Sequence, residues 1–367
     1  MWTIIFSKNF ELAVVILLVV CASPNSHVES YCSVPKDKIP SILTLLLVEG
    51  RSNYEGIRTW QGEADFKVDI IYQGENAKRV LHEKTKDKGE IPKIVRKRKV
   101  GNIQFIADFE KRFIYEKLDR PNPVQYTEYK TGRDLGTKSP LPWHTVSVIT
   151  PEHFIQSAPS VYDGTSIKKR KVVRVESQKG SSCAESGVFD PRKCFGVSGT
   201  VWQTLSMLIQ EIQEKGKFSV GEYDLRVEER TKDSKTEYRI RIPLKSPQTY
   251  AFLTMVFSGS KGFNIISHEI KEQHDKLFQK FTWDYELIDG VYLPTKTEKR
   301  NFDRQTGQLK YQEVFVYRNN KLNQPIPAET FEYTNLGLKE GDIFLDEILD
   351  KEYRYEAATK KLILVEK

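Results

Sequence analysis

The sequence predicts a mainly β protein with a few helices, built as an open antiparallel half-barrel covered by those helices. Three observations predict it. Most of the chain alternates apolar and polar residues with period two, the mark of strands with one buried face. Short polar turns join the alternating runs, as in an antiparallel meander. Only two segments carry a helical period, so the helices are few and need an apolar sheet surface to cover.

The first alternating run, 57–73, places Trp60, Ala64, Phe66, Val68 and Ile70 on one face. Runs 94–107, broken at Gly101-Asn102, then 112–118 and 168–175 follow. In the C-terminal half, Tyr223, Leu225 and Val227 alternate with charges, and so do Tyr238, Ile240 and Ile242. Runs 250–258 and 263–270 turn at Gly259-Ser-Lys-Gly262. Phe281, Trp283, Tyr285 and Leu287 then lead into Asp289-Gly290, a hairpin dipeptide. Runs 291–301 and 309–318 complete the meander.

The first helix is expected over 38–49, with Ser41 as its N-cap and Gly50 as its stop. The second is expected over 200–215, with Val201, Leu205, Leu208, Ile209 and Ile212 at helical spacing and Gly216 after it. A single turn is expected to start at Pro151-Glu-His-Phe154. The stretch 120–141, rich in Pro, Gly and Thr, reads as a loop. Strand patterns look alike on both sides of it, which favours one extended domain over 31–367.

The N-terminus reads as a signal peptide over 1–30. Lys8 precedes the apolar run from Leu12 to Ala22, which is shorter than the roughly 20 residues a spanning helix needs. Cleavage fits after Ala22 or after Ser30, and Cys21 offers lipidation as an alternative despite Val20 before it. The expected location is therefore outside the cytoplasm: periplasm, cell envelope, or secreted. The formal charge of +7 is a mild, dispersed excess that does not suggest nucleic acid. No stretch after the leader is long enough to span a membrane, so any membrane association is peripheral at most.

Cleavage after Ala22 leaves Cys32, Cys183 and Cys194. In an oxidising compartment the close pair Cys183 and Cys194 is the natural disulfide, closing an irregular excursion and contributing about 2–3 kcal/mol. Cys32 is then free or intermolecular. No zinc spacing is present.

Catalytic signals are absent. There is no Gly-x-Ser-x-Gly elbow, phosphate-cradling glycine loop or His-Glu-x-x-His. His144 with His153, and His268 with His274, read as surface histidines rather than metal ligands. The acidic pairs Asp65 with Asp69, and Asp284 with Glu286, read as solvent-facing charges. The basic runs Arg96-Lys-Arg-Lys99 and Lys168-Lys-Arg-Lys171 read as guards of strand edges. No enzyme, cofactor or metal is expected. The aromatic residues fall mainly on strands, so the curved sheet either fills itself or leaves an apolar cavity.

These pieces resemble a known group. An exported chain, a helix before Tyr54-Glu-Gly-Ile-Arg-Thr-Trp60, and a meander around Asp289-Gly-Val-Tyr-Leu-Pro-Thr295 resemble the periplasmic lipoprotein-carrier fold of the LolA and LolB type. The ending Asn323-Gln-Pro-Ile-Pro327, Phe331, and Leu336-Gly-Leu-Lys-Glu-Gly-Asp342 is similar to that of exported planctomycete proteins described as outer-membrane lipoprotein-sorting proteins. The resemblance implies an open half-barrel of about eleven strands that binds lipid or lipoprotein acyl chains without catalysis. This chain is longer than a typical carrier, and its cysteine excursion is extra. The candidate apolar lining, drawn from strand and helix alternation, is Trp60, Phe66, Leu205, Leu208, Phe281, Trp283 and Tyr285. The alternative is a structural or interaction protein of the envelope, with a filled core and protein partners.

Overall fold

The computed structural model describes residues 30–82, 93–122, 124–138, 143–159, 171–177, 200–232, 234–245, 250–272 and 276–365. Residues 1–29 of the expected leader, and the expected disulfide partners Cys183 and Cys194, lie outside them. Cys32 is free and exposed.

In chain order the elements begin with β1 (Cys32–Ser33), α1 (Ile39–Glu55), β2 (Thr59–Gln73), α2 (Gly74–His82), β3 (Ile94–Asp108) and β4 (Phe113–Arg120). Next come β5 (Val124–Glu128), β6 (Asp134–Lys138), β7 (Trp143–Ile149), β8 (His153–Pro159), β9 (Lys171–Ser177) and α3 (Thr200–Lys215). A small hairpin, β10 (Ser219–Val220) with β11 (Tyr223–Asp224), precedes the meander. The meander is β12 (Arg226–Lys232), β13 (Lys235–Lys245), β14 (Tyr250–Ser258), β15 (Asn264–Glu272), β16 (Leu277–Ile288), β17 (Val291–Phe302) and β18 (Leu309–Leu322). The chain then runs through β19 (Ile343–Asp346), β20 (Lys351–Glu356) and β21 (Lys361–Leu364).

Among the described residues, all but β10 and β11 join one 19-stranded sheet, more than the eleven or so expected. From the β1 edge, β12 to β18 follow in sequence, and β2 then pairs with β18. The order continues β3, β4, β7, β8, β9, β19, β20, β21. β5 pairs with the first part of β3 and carries β6. Every pairing among the described residues is antiparallel except β9 with β19. The end strands β1 and β21 do not meet, so the sheet is open.

Several local expectations change. The stretch 120–141 contains the β5–β6 hairpin rather than a plain loop, and His153 opens strand β8 rather than a turn. β3 runs unbroken through Gly101-Asn102. Gly101 lacks a side chain because a Cβ there would lie 2.6 Å from the ring of Phe66 and from the Asp119 carbonyl oxygen. α1 extends to Glu55 through Gly50, since a Cβ at Gly50 would lie 2.4 Å from the ring of Trp202 on α3. That glycine sets a close helix crossing instead of ending the helix. Ser41 does not cap: its hydroxyl donates to the Lys38 carbonyl within the first turn, while Pro40 supplies a favourable start. The Asp289-Gly290 turn is as expected, with Ile288 opposite Val291 and both turn residues at positive φ (50° and 80°).

The first core lies between the meander and the pair α1 and α3. Leu43 and Leu46 of α1, and Leu205 and Leu208 of α3, close over Trp60, Ile240, Met255, Phe257 and Ile265. A second core lies on the other face of the sheet, where Val146, Val148, Val173, Val175 and Phe344 pack under Phe331 and Leu336. Two 3-10 turns, Ala328–Phe331 and Tyr333–Leu336, carry those last two residues. Alternation along β3 shows the change of face: Ile103 and Phe105 point into the first core, and Ile106 packs against the second. A third cluster joins α2 to the far ends of β2 and β3 through Ala77, Leu81, Tyr72 and Val95.

Candidate ligand-binding face

The seven expected lining residues share the face that bears the helices, and the structure divides them by depth. Trp60, Leu205 and Leu208 are fully buried, and Trp283 and Tyr285 are nearly so. Their packing is closed. Trp60 meets Phe105 edge-on at 4.9 Å and donates its indole N–H to the Asn320 side chain at 3.0 Å. The Tyr285 hydroxyl donates to the Ile265 carbonyl at 2.8 Å. Phe66 and Phe281 lie further along their strands and stay half-buried at the margin of the core.

At that margin the register aligns two rows across the sheet. Nearest the helices run Trp283, Thr297, Phe315, Phe66 and Gly101. The next row outward is His268, Phe281, Lys299, Glu313, Val68 and Lys99, one residue from each of six adjacent strands. Beyond it, Tyr311 pairs with Ile70 and Ile70 with Lys97. Tyr72 and Val95 then pass under α2 on the same face. A half-exposed window therefore lies between the part of the face that α1 and α3 cover and the part that α2 covers.

The window is aromatic with charges set into it. Phe66 and Phe315 rings are 6.1 Å apart, and Phe281 stacks between His268 at 5.3 Å and Trp283 at 5.8 Å. The Lys299 ammonium lies 5.3 Å from the Phe281 ring centre and 5.7 Å from that of Tyr311, within cation–π range. Burial pushes the His268 pKa down to about 4, so its ring is neutral at pH 7. Its Nε2 has no hydrogen-bond partner among the described residues. Burial pushes the Glu313 carboxyl up against the opposing pull of Lys299, and pushes Lys99 down with help from the Arg120 charge. Such an array can hold an apolar chain against rings and a polar head among cations.

His268 is thus a half-buried ring rather than a surface residue. Lys299 and Glu313 went unnoticed in the sequence, although they occupy the apolar phase of β17 and β18 (Tyr311, Glu313, Phe315, Tyr317). A charge in the buried phase was the available signal.

The remaining candidates separate. His144 is in ion-pair range of Asp119 at 3.0 Å and lies at the opposite end of the β7–β8 hairpin from His153. Among the described residues no His, Cys, Asp and Glu cluster could hold a metal ion. Asp69 accepts both guanidinium N–H groups of Arg98 at 2.8 and 3.0 Å, and Asp65 pairs with Arg318 at 2.6 Å. Arg96 to Arg98 guard no edge, because β3 is flanked there by β2 and β5, and Lys99 follows on the same interior strand. Of the second basic run, Lys171 lies on β9, also an interior strand, and residues 168–170 lie outside the described residues.

Compared with known proteins, the chain matches no family model and no curated protein. It is similar to solved structures at low identity. A DUF1329 family protein from Desulfovibrio piger is 13% identical, with a TM-score of 0.36, covering 81% of this chain and 98% of that one. A LolA superfamily protein from Nitrosomonas europaea is 9% identical, with a TM-score of 0.33, covering 80% and 99%. An outer membrane lipoprotein-sorting protein domain from Vibrio parahaemolyticus is 9% identical, with a TM-score of 0.35, covering 82% and 99%. The group that the sequence resembles is among them. No helix among the described residues is long and apolar enough to cross a membrane.

Proposed function

We propose that this chain is a non-enzymatic binder or carrier of lipid or lipoprotein acyl chains, working in the periplasm or at an envelope face. The observation that carries the reading is the window itself. Phe66 and Phe315, with Val68 and Ile70, form a half-exposed apolar strip beside a closed core, and Phe281 adds a further ring on the far side of Thr297 and Lys299. Exposed apolar area of that kind marks a binding surface. In this reading the acyl chain lies along the strip, and Trp60, Leu205, Leu208, Trp283 and Tyr285 support it from beneath.

The test is titration with a fluorescent fatty-acid probe. Wild-type protein binds it, and Phe315→Ala weakens binding about tenfold, equivalent to about 1.4 kcal/mol, with little change in melting temperature. The closed packing around Trp60 favours a second reading, an envelope structural protein with a filled sheet. Absence of probe binding by the wild-type protein would leave that reading standing.

A further inference from the structure

The face opposite α1 and α3 carries an unbalanced pair of charges near the β1 edge. Arg226 of β12 and Arg241 of β13 stand directly opposite each other in register. Like charges so placed repel and cost stability. Their neighbours are neutralised. Arg239 pairs with Glu228 and Arg230 with Glu237, each at 2.5 Å. Glu269 is held by Lys280 at 2.6 Å and Lys271 at 3.2 Å, and Lys36 pairs with Asp224 at 3.4 Å. Among the described residues no carboxylate lies in ion-pair range of Arg226 or Arg241.

The pair also stands where a ligand has room. Two adjoining grooves, of about 380 and 600 Å³, share Arg226, Arg241, Glu228 and Phe252 in their walls. The Arg241 guanidinium carbon lies 4.0 Å from the centre of the buried Phe252 ring, so one guanidinium is already held in place. Arg239 is held similarly, 4.1 Å from the centre of the Tyr31 ring.

We propose that Arg226 and Arg241 bind a phosphate group, either free or as a phosphate monoester headgroup. A carboxylate offers two oxygens and a single charge to such a pair. A phosphate has enough oxygens to accept from two forks at once. It also supplies the negative charge that the register leaves missing.

The experiment measures the melting temperature of the full chain in inorganic phosphate against chloride at equal ionic strength. Phosphate should raise it progressively, as any ligand of the native state does. The doubly substituted Arg226→Gln, Arg241→Gln chain should lose that response and so exclude general salting-out. The single change Arg226→Glu should raise the melting temperature without phosphate, by pairing with Arg241, and should also abolish the phosphate response. Phosphatidylcholine vesicles with and without phosphatidate separate the two sources. Retention on phosphatidate vesicles assigns the site to a headgroup, and a response to free phosphate alone assigns it to a soluble ligand. An equal phosphate shift in the double variant would overturn the proposal. So would a wild-type chain that responds to neither phosphate nor phosphatidate. Fatty-acid probe binding, which uses the other face, should be unaffected by these substitutions.

Discussion

The two larger cores lie on opposite faces of the same sheet and are closed by different means. The first is roofed by α1 and α3, whose leucines recur at helical spacing over strands of the meander. The second, on β7, β9 and β19, is roofed by two 3-10 turns that contribute Phe331 and Leu336. A helix offers a periodic stripe and can cover many strands. Short turns supply single side chains at fixed points. The first core is accordingly broad, and its uncovered margin becomes the window, while the second is compact.

Substituting one anchor in each core compares them directly. Trp60→Ala should be the most damaging change, at about 3–5 kcal/mol in chemical denaturation, because a fully enclosed indole leaves a cavity that the helices cannot collapse. A loss below about 1 kcal/mol would mean that the first core is loosely closed.

Acid should then distinguish the cores. The His268 pKa falls from 6.5 to about 4 in the native protein, so the unfolded chain binds the proton more tightly. Stability from this group is complete above pH 6.5 and is lost as pH falls towards 4, by up to about 3 kcal/mol. His268→Phe should flatten that part of the pH–stability profile. An unchanged profile would remove burial of the ring as its cause. The buried residues of the second core are apolar, so a variant confined to them, such as Leu336→Ala, should keep the wild-type profile.

Leu336→Ala should cost about 2 kcal/mol, at the low end for a buried leucine, because its roof is a turn that can settle inward. Combined with Trp60→Ala, the effects should add within about 0.5 kcal/mol, as for separated sites. A larger coupling would show that β3 and β4 transmit strain from one face to the other.

The first core was largely legible in the sequence and the second was not. Alternation at Phe281, Trp283 and Tyr285, the Asp289-Gly290 turn and the spacing of Leu205 and Leu208 each have a local cause. Phe331 and Leu336 sit in a stretch without period, and their burial depends on strands more than 150 residues earlier. Gly50 read as a helix stop because its reason is Trp202, a residue distant in sequence. The pairing of Arg226 with Arg241 follows from register, which single-strand patterns do not supply. Depth was equally hidden: Trp60 and Phe66 share an alternation, yet only the first lies under a helix.

The parallel pairing of β9 with β19 has a consequence for synthesis. Val173 meets Phe344, so the outer edge of β9 waits for chain made some 170 residues later. During translation the β7–β8–β9 hairpin series can form early, but it presents unpaired amides and carbonyls beside Val173 and Val175 until β19 emerges. A ribosome stalled before residue 343 would hold a nascent chain in which this edge faces solvent. Holdase chaperones should bind there, and they should let go once β19 takes its place.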